Sequence, residues 1–303
     1  MNATTATKSP GIGPGKGPAA APKPGLAPHI RAVLSLVAGL AIASGVILYG
    51  PVAIEPLLVK LDSAATPPIV ETVFTAAIYG ALLIVGVIGA GVCGVNAVRP
   101  GRRPLAMLGL GLFVGLFGVT VTTGYAGIVG SLKMGAAQHN TAVMLAWGAA
   151  LVLLQSAAEE VYFRGWLQRV FARAWGAPVA IFVSALAFSV LHSLGEERAI
   201  ITSSNLFLGG LLFGILAAYG RGILGAVAAH FAWNGAEQMI LGLDPNPGVG
   251  TFGSIFNFEL FGPKSWGGST EGLNASFAMT LTLFALVVPL VLLVRTRLEP
   301  RGA

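Results

Sequence analysis

The chain has 303 residues, is 55% hydrophobic and only 10% charged, against roughly 25% charged in ordinary soluble domains. Its mean hydropathy of +0.80 and recurrent apolar runs of about 20 residues exclude a soluble globular domain. The net charge of +6 is dispersed near helix ends and has no aromatic-basic patch, which argues against a nucleic-acid partner. One cysteine, Cys93, excludes an intrachain disulfide or a thiolate metal cluster and reads as a packing residue.

Residues 1–29 are rich in Pro, Gly, Ala and Thr, with Lys8, Lys16 and Lys23. They lack the apolar surface to fold and read as a disordered cytoplasmic tail. Hydropathy then predicts an all-α polytopic membrane protein with eight spans, at 31–50, 71–97, 105–130, 141–174, 178–194, 204–219, 222–242 and 275–295. The domain reading is an N-terminal helical region at 30–140, a core at 141–242, an outer loop at 243–274, and a last helix with a basic tail at 275–303.

With both termini inside, the outer side receives only Lys60, Lys133, Arg198 and Lys264, and the inner side receives the other fourteen Lys and Arg residues. That bias obeys the positive-inside rule. Forty-two glycines, spaced as between Gly109 and Gly118 and between Gly209 and Gly214, suit close helix packing in lipid. The outer loop is long enough to be functional and could cap a site. His139 and the run Glu196-Glu197-Arg198 read as ordinary solvated loop residues.

Three polar clusters interrupt the apolar helices. The first is Glu159-Glu160 with Arg164. Glu160 and Arg164 are i and i+4 and can pair, while Glu159, rotated about 100° away, is free to act on water; a purely structural Glu-Arg pair is the other reading. The second is Phe188 with His192, again one turn apart. The third is His230 with Asn234, which could hold a developing oxyanion or form an interhelical hydrogen-bond pair. Counted from the turns at Trp175-Gly176-Ala177-Pro178 and Gly220-Arg221-Gly222, all three lie at similar depth at 1.5 Å per residue. Convergence on one buried site follows, because polar groups at that depth are costly facing lipid.

Taken in order, E-E-x-x-x-R, F-x-x-x-H and H-x-x-x-N resemble the pattern of the type II CAAX prenyl endopeptidase group, the CAAX protease and bacteriocin-processing (CPBP, Abi) family of intramembrane proteases. The resemblance covers residues 140–240. It implies a peptide-bond hydrolase, with Glu159 as general base, His192 as its partner on water, His230 and Asn234 at the oxyanion, and Glu160, Arg164 and Phe188 in support. Family members are often labelled metalloproteases, and Glu159, His192 and His230 could make a three-ligand zinc site. No H-E-x-x-H is present, and a metal-independent glutamate mechanism uses the same residues. The expected partners are membrane lipid and a membrane-associated protein or peptide substrate. The composition looks bacterial, which would place the chain in a plasma membrane and makes a prenylated substrate unexpected. A non-catalytic membrane scaffold or bacteriocin self-immunity protein is the alternative, and a transporter finds no inverted repeat to support it.

Overall fold

The structure is a computed structural model that describes residues 26–62, 66–136, 141–194, 198–244 and 251–298. Most of the tail at 1–29, together with His139, Glu196, Glu197 and the Pro-rich part of the outer loop at 245–250, lies outside the described residues. The chain is an all-α polytopic membrane protein. Its helices are α1 (Leu26–Asp62), α2 (Pro67–Val92), α3 (Pro104–Ile128), α4 (Ala142–Trp175), α5 (Ala177–His192), α6 (Ile200–Gly220), α7 (Leu224–Gly235, continued by a π-helical turn Ala236–Ile240) and α8 (Phe277–Leu298). Among the described residues, six of them are long and apolar enough to cross a membrane, and α5 is a shorter apolar helix. Large apolar side chains such as Leu34, Ile88, Phe113 and Leu292 point outwards, as lipid as solvent permits.

The eight expected helices are present, with two differences. Helix α1 starts four residues inside the expected tail and runs twelve past the expected end at Gly50, with Pro51 and Pro56 inside it. Each proline removes one hydrogen bond, a loss that apolar packing tolerates in membrane helices. Its 37 residues would span about 56 Å at 1.5 Å per residue, well beyond a bilayer core. The second difference is that the outer loop is structured. Strand β1 (Leu132–Met134) pairs antiparallel with β2 (Phe258–Leu260) in the register Leu132↔Leu260. Lys133 Nζ lies 2.6 Å from Glu259, and Phe252 is buried against Trp147 at a ring separation of 5.6 Å.

Two apolar clusters form the interior. One joins α1, α2, α4 and α5 around Tyr162, Leu167 and Phe171. The other joins α3, α6, α7 and α8 around Leu212, Leu216 and Trp233. The polar site lies between them.

Glycine sets how closely α7 approaches its neighbour. A Cβ on Gly111 or Gly115 of α3 would run into the carbonyl oxygens of Gly225 and Ala229 on α7. These two positions, four residues apart, let the backbones touch in the way small residues allow in membranes. Helix α7 carries His230 and Asn234, so this stripe also fixes their position. The turns at its N-terminal end dock backbone to backbone: Arg102 N–H donates to the Gly220 carbonyl at 2.8 Å, and Ile223 N–H to that of Arg99 at 3.0 Å.

Candidate active site

Helix α4 begins at Thr141, whose hydroxyl caps the N–H of Met144 at 3.2 Å. Immediately after Glu160 the helix widens into a π-helical turn, Val161–Leu167, in which every residue is buried. Such turns recur at functional sites. Here the turn is pinned on three sides. Tyr162 Oη donates to the Gly39 carbonyl of α1 at 2.6 Å, Arg164 Nη2 to the Gly210 carbonyl of α6 at 2.9 Å, and Ser184 Oγ of α5 to the Phe163 carbonyl at 3.2 Å.

Glu160 and Arg164 are paired as the spacing predicts, at 3.0 Å with both side chains fully buried. The guanidinium also lies 4.9 Å from the Phe188 ring centre and 5.5 Å from that of Phe213. Three aromatic faces and a carboxylate therefore share its charge. His230 Nδ1 reaches the same Glu160 oxygen at 3.0 Å. A carboxylate oxygen paired to Arg164 accepts, so Nδ1 donates in this contact, and the Nδ1–H tautomer leaves a lone pair at Nε2. His230 is stacked on Phe213 at 4.6 Å.

His192 ends α5, and its Nδ1 lies 2.9 Å from the Phe188 carbonyl. A carbonyl can only accept, so here too Nδ1 carries the proton and Nε2 has the lone pair. The Phe188 ring lies 4.1 Å from the imidazole.

Glu159 is where these groups meet. It is 4% exposed, and its Oε2 lies 3.7 Å from His192 Nε2 and 3.8 Å from His230 Nε2. Both distances exceed a direct hydrogen bond, and Oε2 has no hydrogen-bond partner among the described residues. One carboxylate oxygen thus lies just beyond hydrogen-bond reach of two imidazole nitrogens, a spacing suited to a bridging water.

The three polar clusters therefore do converge. Asn234, one turn beyond His230, lines a cavity of about 150 Å³ with Glu159, His192 and His230. The donor set of Glu159, His192 and His230 matches zinc in kind. Their spacing does not: among the described residues, no group of three or more His, Cys, Asp or Glu is placed to hold a metal ion.

The surroundings of the site hold residues that the motifs did not single out. Arg198, read as a solvated loop charge, donates from Nε to the His192 carbonyl at 2.6 Å and caps the end of α5. It also lines a second cavity of about 210 Å³ that Glu159 and His192 share with Tyr79. Asn205 of α6 donates to the carbonyls of Asn274 and Ser276 at 2.9 and 3.0 Å, bringing the end of the outer loop to the first cavity. Gln155 and Glu237 line that cavity as well. The only sequence signal for these residues was polarity within an apolar helix, present at Gln155, Asn205 and Glu237 and absent for Arg198.

Helices long enough to cross a membrane, with a buried carboxylate beside two imidazoles, define a polytopic membrane protein with a polar site in its interior. Residues 140–236, about a third of the chain, match the family model described as type II CAAX prenyl endopeptidase Rce1-like. No curated protein and no solved structure matches the chain.

Proposed function

We propose that the chain is an intramembrane endopeptidase that hydrolyses peptide bonds of a membrane-associated protein or peptide by means of a water activated at Glu159. The observation that carries this reading is the unpartnered Glu159 Oε2 at 3.7 and 3.8 Å from two Nε2 atoms. Both Nδ1 protons are committed elsewhere, to the Phe188 carbonyl and to Glu160.

A water held at that point donates one hydrogen to Glu159 and the other to His192 Nε2. Glu159 takes the first proton as the water oxygen attacks the scissile carbonyl carbon, and the carbonyl π electrons move to its oxygen. The Asn234 amide N–H, on the wall of the cavity, is suited to hold that oxyanion. His230 can donate to the oxyanion only with Nε2 protonated, that is, as the imidazolium with its Nδ1–H still on Glu160. Collapse of the intermediate breaks the C–N bond, and the proton on Glu159 passes to the leaving amine. The apolar shell strengthens each of these contacts because the effective dielectric is low. Glu160 and Arg164 position His230 and the π-helical turn and do not touch the reacting atoms.

By the positive-inside rule, both termini lie on the cytoplasmic side of a cell membrane, and the outer loop covers the opposite end of the site. The test is a comparison of membrane peptides in cells carrying the wild type or Glu159→Gln at equal membrane levels. The reading expects a discrete set of uncut precursors to accumulate in the variant; identical peptide populations in the two would overturn it.

A further inference from the structure

Glu237 is a second carboxylate on the wall of the 150 Å³ cavity and has no part in the hydrolytic steps above. It is 9% exposed, and no hydrogen bond or ion pair to its carboxylate is formed among the described residues. Burial of an unpaired carboxylate is expensive, which marks the position as one kept for a ligand group. Among the described residues the rest of the wall has amides from Gln155, Asn205, Asn234, Gln238 and Asn274 but no lysine or arginine. Arg164, the nearest buried cation on α4, is already held by Glu160 and the Gly210 carbonyl. Among the described residues the cavity wall thus carries two carboxylates, Glu159 and Glu237, and no fixed cation.

We propose that Glu237 is a specificity-determining residue that binds a cationic group of the substrate. The inference rests on the endopeptidase reading and deepens it. His230, Asn234 and Glu237 fall at i, i+4 and i+7, one stripe of α7. From His230 to Glu237 the helix rises about 10 Å, the reach of about three residues of extended peptide. The recognised cation, a Lys or Arg side chain or an α-ammonium, therefore lies about three residues from the bond that is cut.

The experiment uses the full chain in proteoliposomes and a quenched-fluorescent peptide library in which each position around the cleavage point is lysine, norleucine or glutamate. Half of the library is N-acetylated, which separates a side-chain cation from an α-ammonium. The wild type should prefer lysine over norleucine at one position by about tenfold or more, the scale of a charge-assisted bond. Glu237→Gln should lose that ratio and Glu237→Asp should keep part of it. If Glu237→Gln fails to fold, the wild-type ratio alone decides.

A binding arm does not depend on cleavage: lysine amide should raise the melting temperature of the purified wild type more than norleucine amide does. A lysine-specific shift that disappears in Glu237→Gln supports the cation site even if no peptide is cut, in which case only the endopeptidase reading fails. Equal processing of lysine and norleucine peptides by an active wild type, a ratio unchanged in Glu237→Gln, or equal shifts from the two amides would overturn the proposal.

Discussion

His230 Nδ1 and Arg164 Nη1 both reach the same oxygen of Glu160, each at 3.0 Å. One carboxylate thereby neutralises a buried guanidinium on its own helix and sets the tautomer of an imidazole on another. The two neighbouring glutamates are divided accordingly: Glu160 holds the frame, and Glu159 faces the cavity.

Removing Glu160 should therefore damage stability first. Glu160→Ala leaves the Arg164 charge buried and unpaired, at a cost of about 3–5 kcal/mol. Arg164→Met leaves Glu160 without its cation and should cost a similar amount. The double variant should lose clearly less than the sum, read as melting temperatures in detergent. Additive losses would mean that the pair is not energetically coupled.

Glu159→Gln should behave in the opposite way. Its Oε2 has no hydrogen-bond partner to lose among the described residues, so the melting temperature should stay within a few degrees of the wild type. Turnover should fall by at least about 10²–10⁴-fold, the range general-base catalysis supplies.

The packing of α3 on α7 makes a prediction far from the chemistry. Gly115→Leu places a side chain against the Ala229 carbonyl and must push α7 away, an overpacking cost of about 1–3 kcal/mol. Because α7 carries His230 and Asn234, the catalytic rate should drop more than the melting temperature alone would explain. Gly109→Leu on the same helix, where a Cβ meets nothing within 4 Å, is the control and should leave both unchanged.

Metal dependence is checked by removal. Dialysis against a chelator should change cleavage less than about twofold, with metal well below one equivalent by mass spectrometry. Loss of activity restored by zinc would move Glu159, His192 and His230 from water activation to metal ligation.

The helices were legible in the sequence because hydropathy is a local property, and the three polar clusters stood out against it. Their convergence followed from counting residues back to tight turns, and the 3.7 Å approach of His192 to Glu159 bears that out. Less was legible where structure depends on distant partners. The pairing of Leu132–Met134 with Phe258–Leu260 joins two three-residue strands far apart in sequence, too short for alternation to signal. The continuation of α1 through Pro51 and Pro56 runs against the local signal, since proline is a helix breaker on any propensity scale. Arg198 looked like a solvated charge because nothing local says that it closes back on the carbonyl of His192. The shared use of Glu160 by His230 could not be read either, since spacing along one helix does not reveal which neighbour approaches across the gap.

The most direct measurement of the central claim is the single-turnover cleavage rate of a membrane peptide by the purified chain in proteoliposomes, wild type against Glu159→Gln. The rate should drop by about 10²-fold or more in a variant that melts like the wild type. Cleavage at an undiminished rate by that folded variant would contradict it.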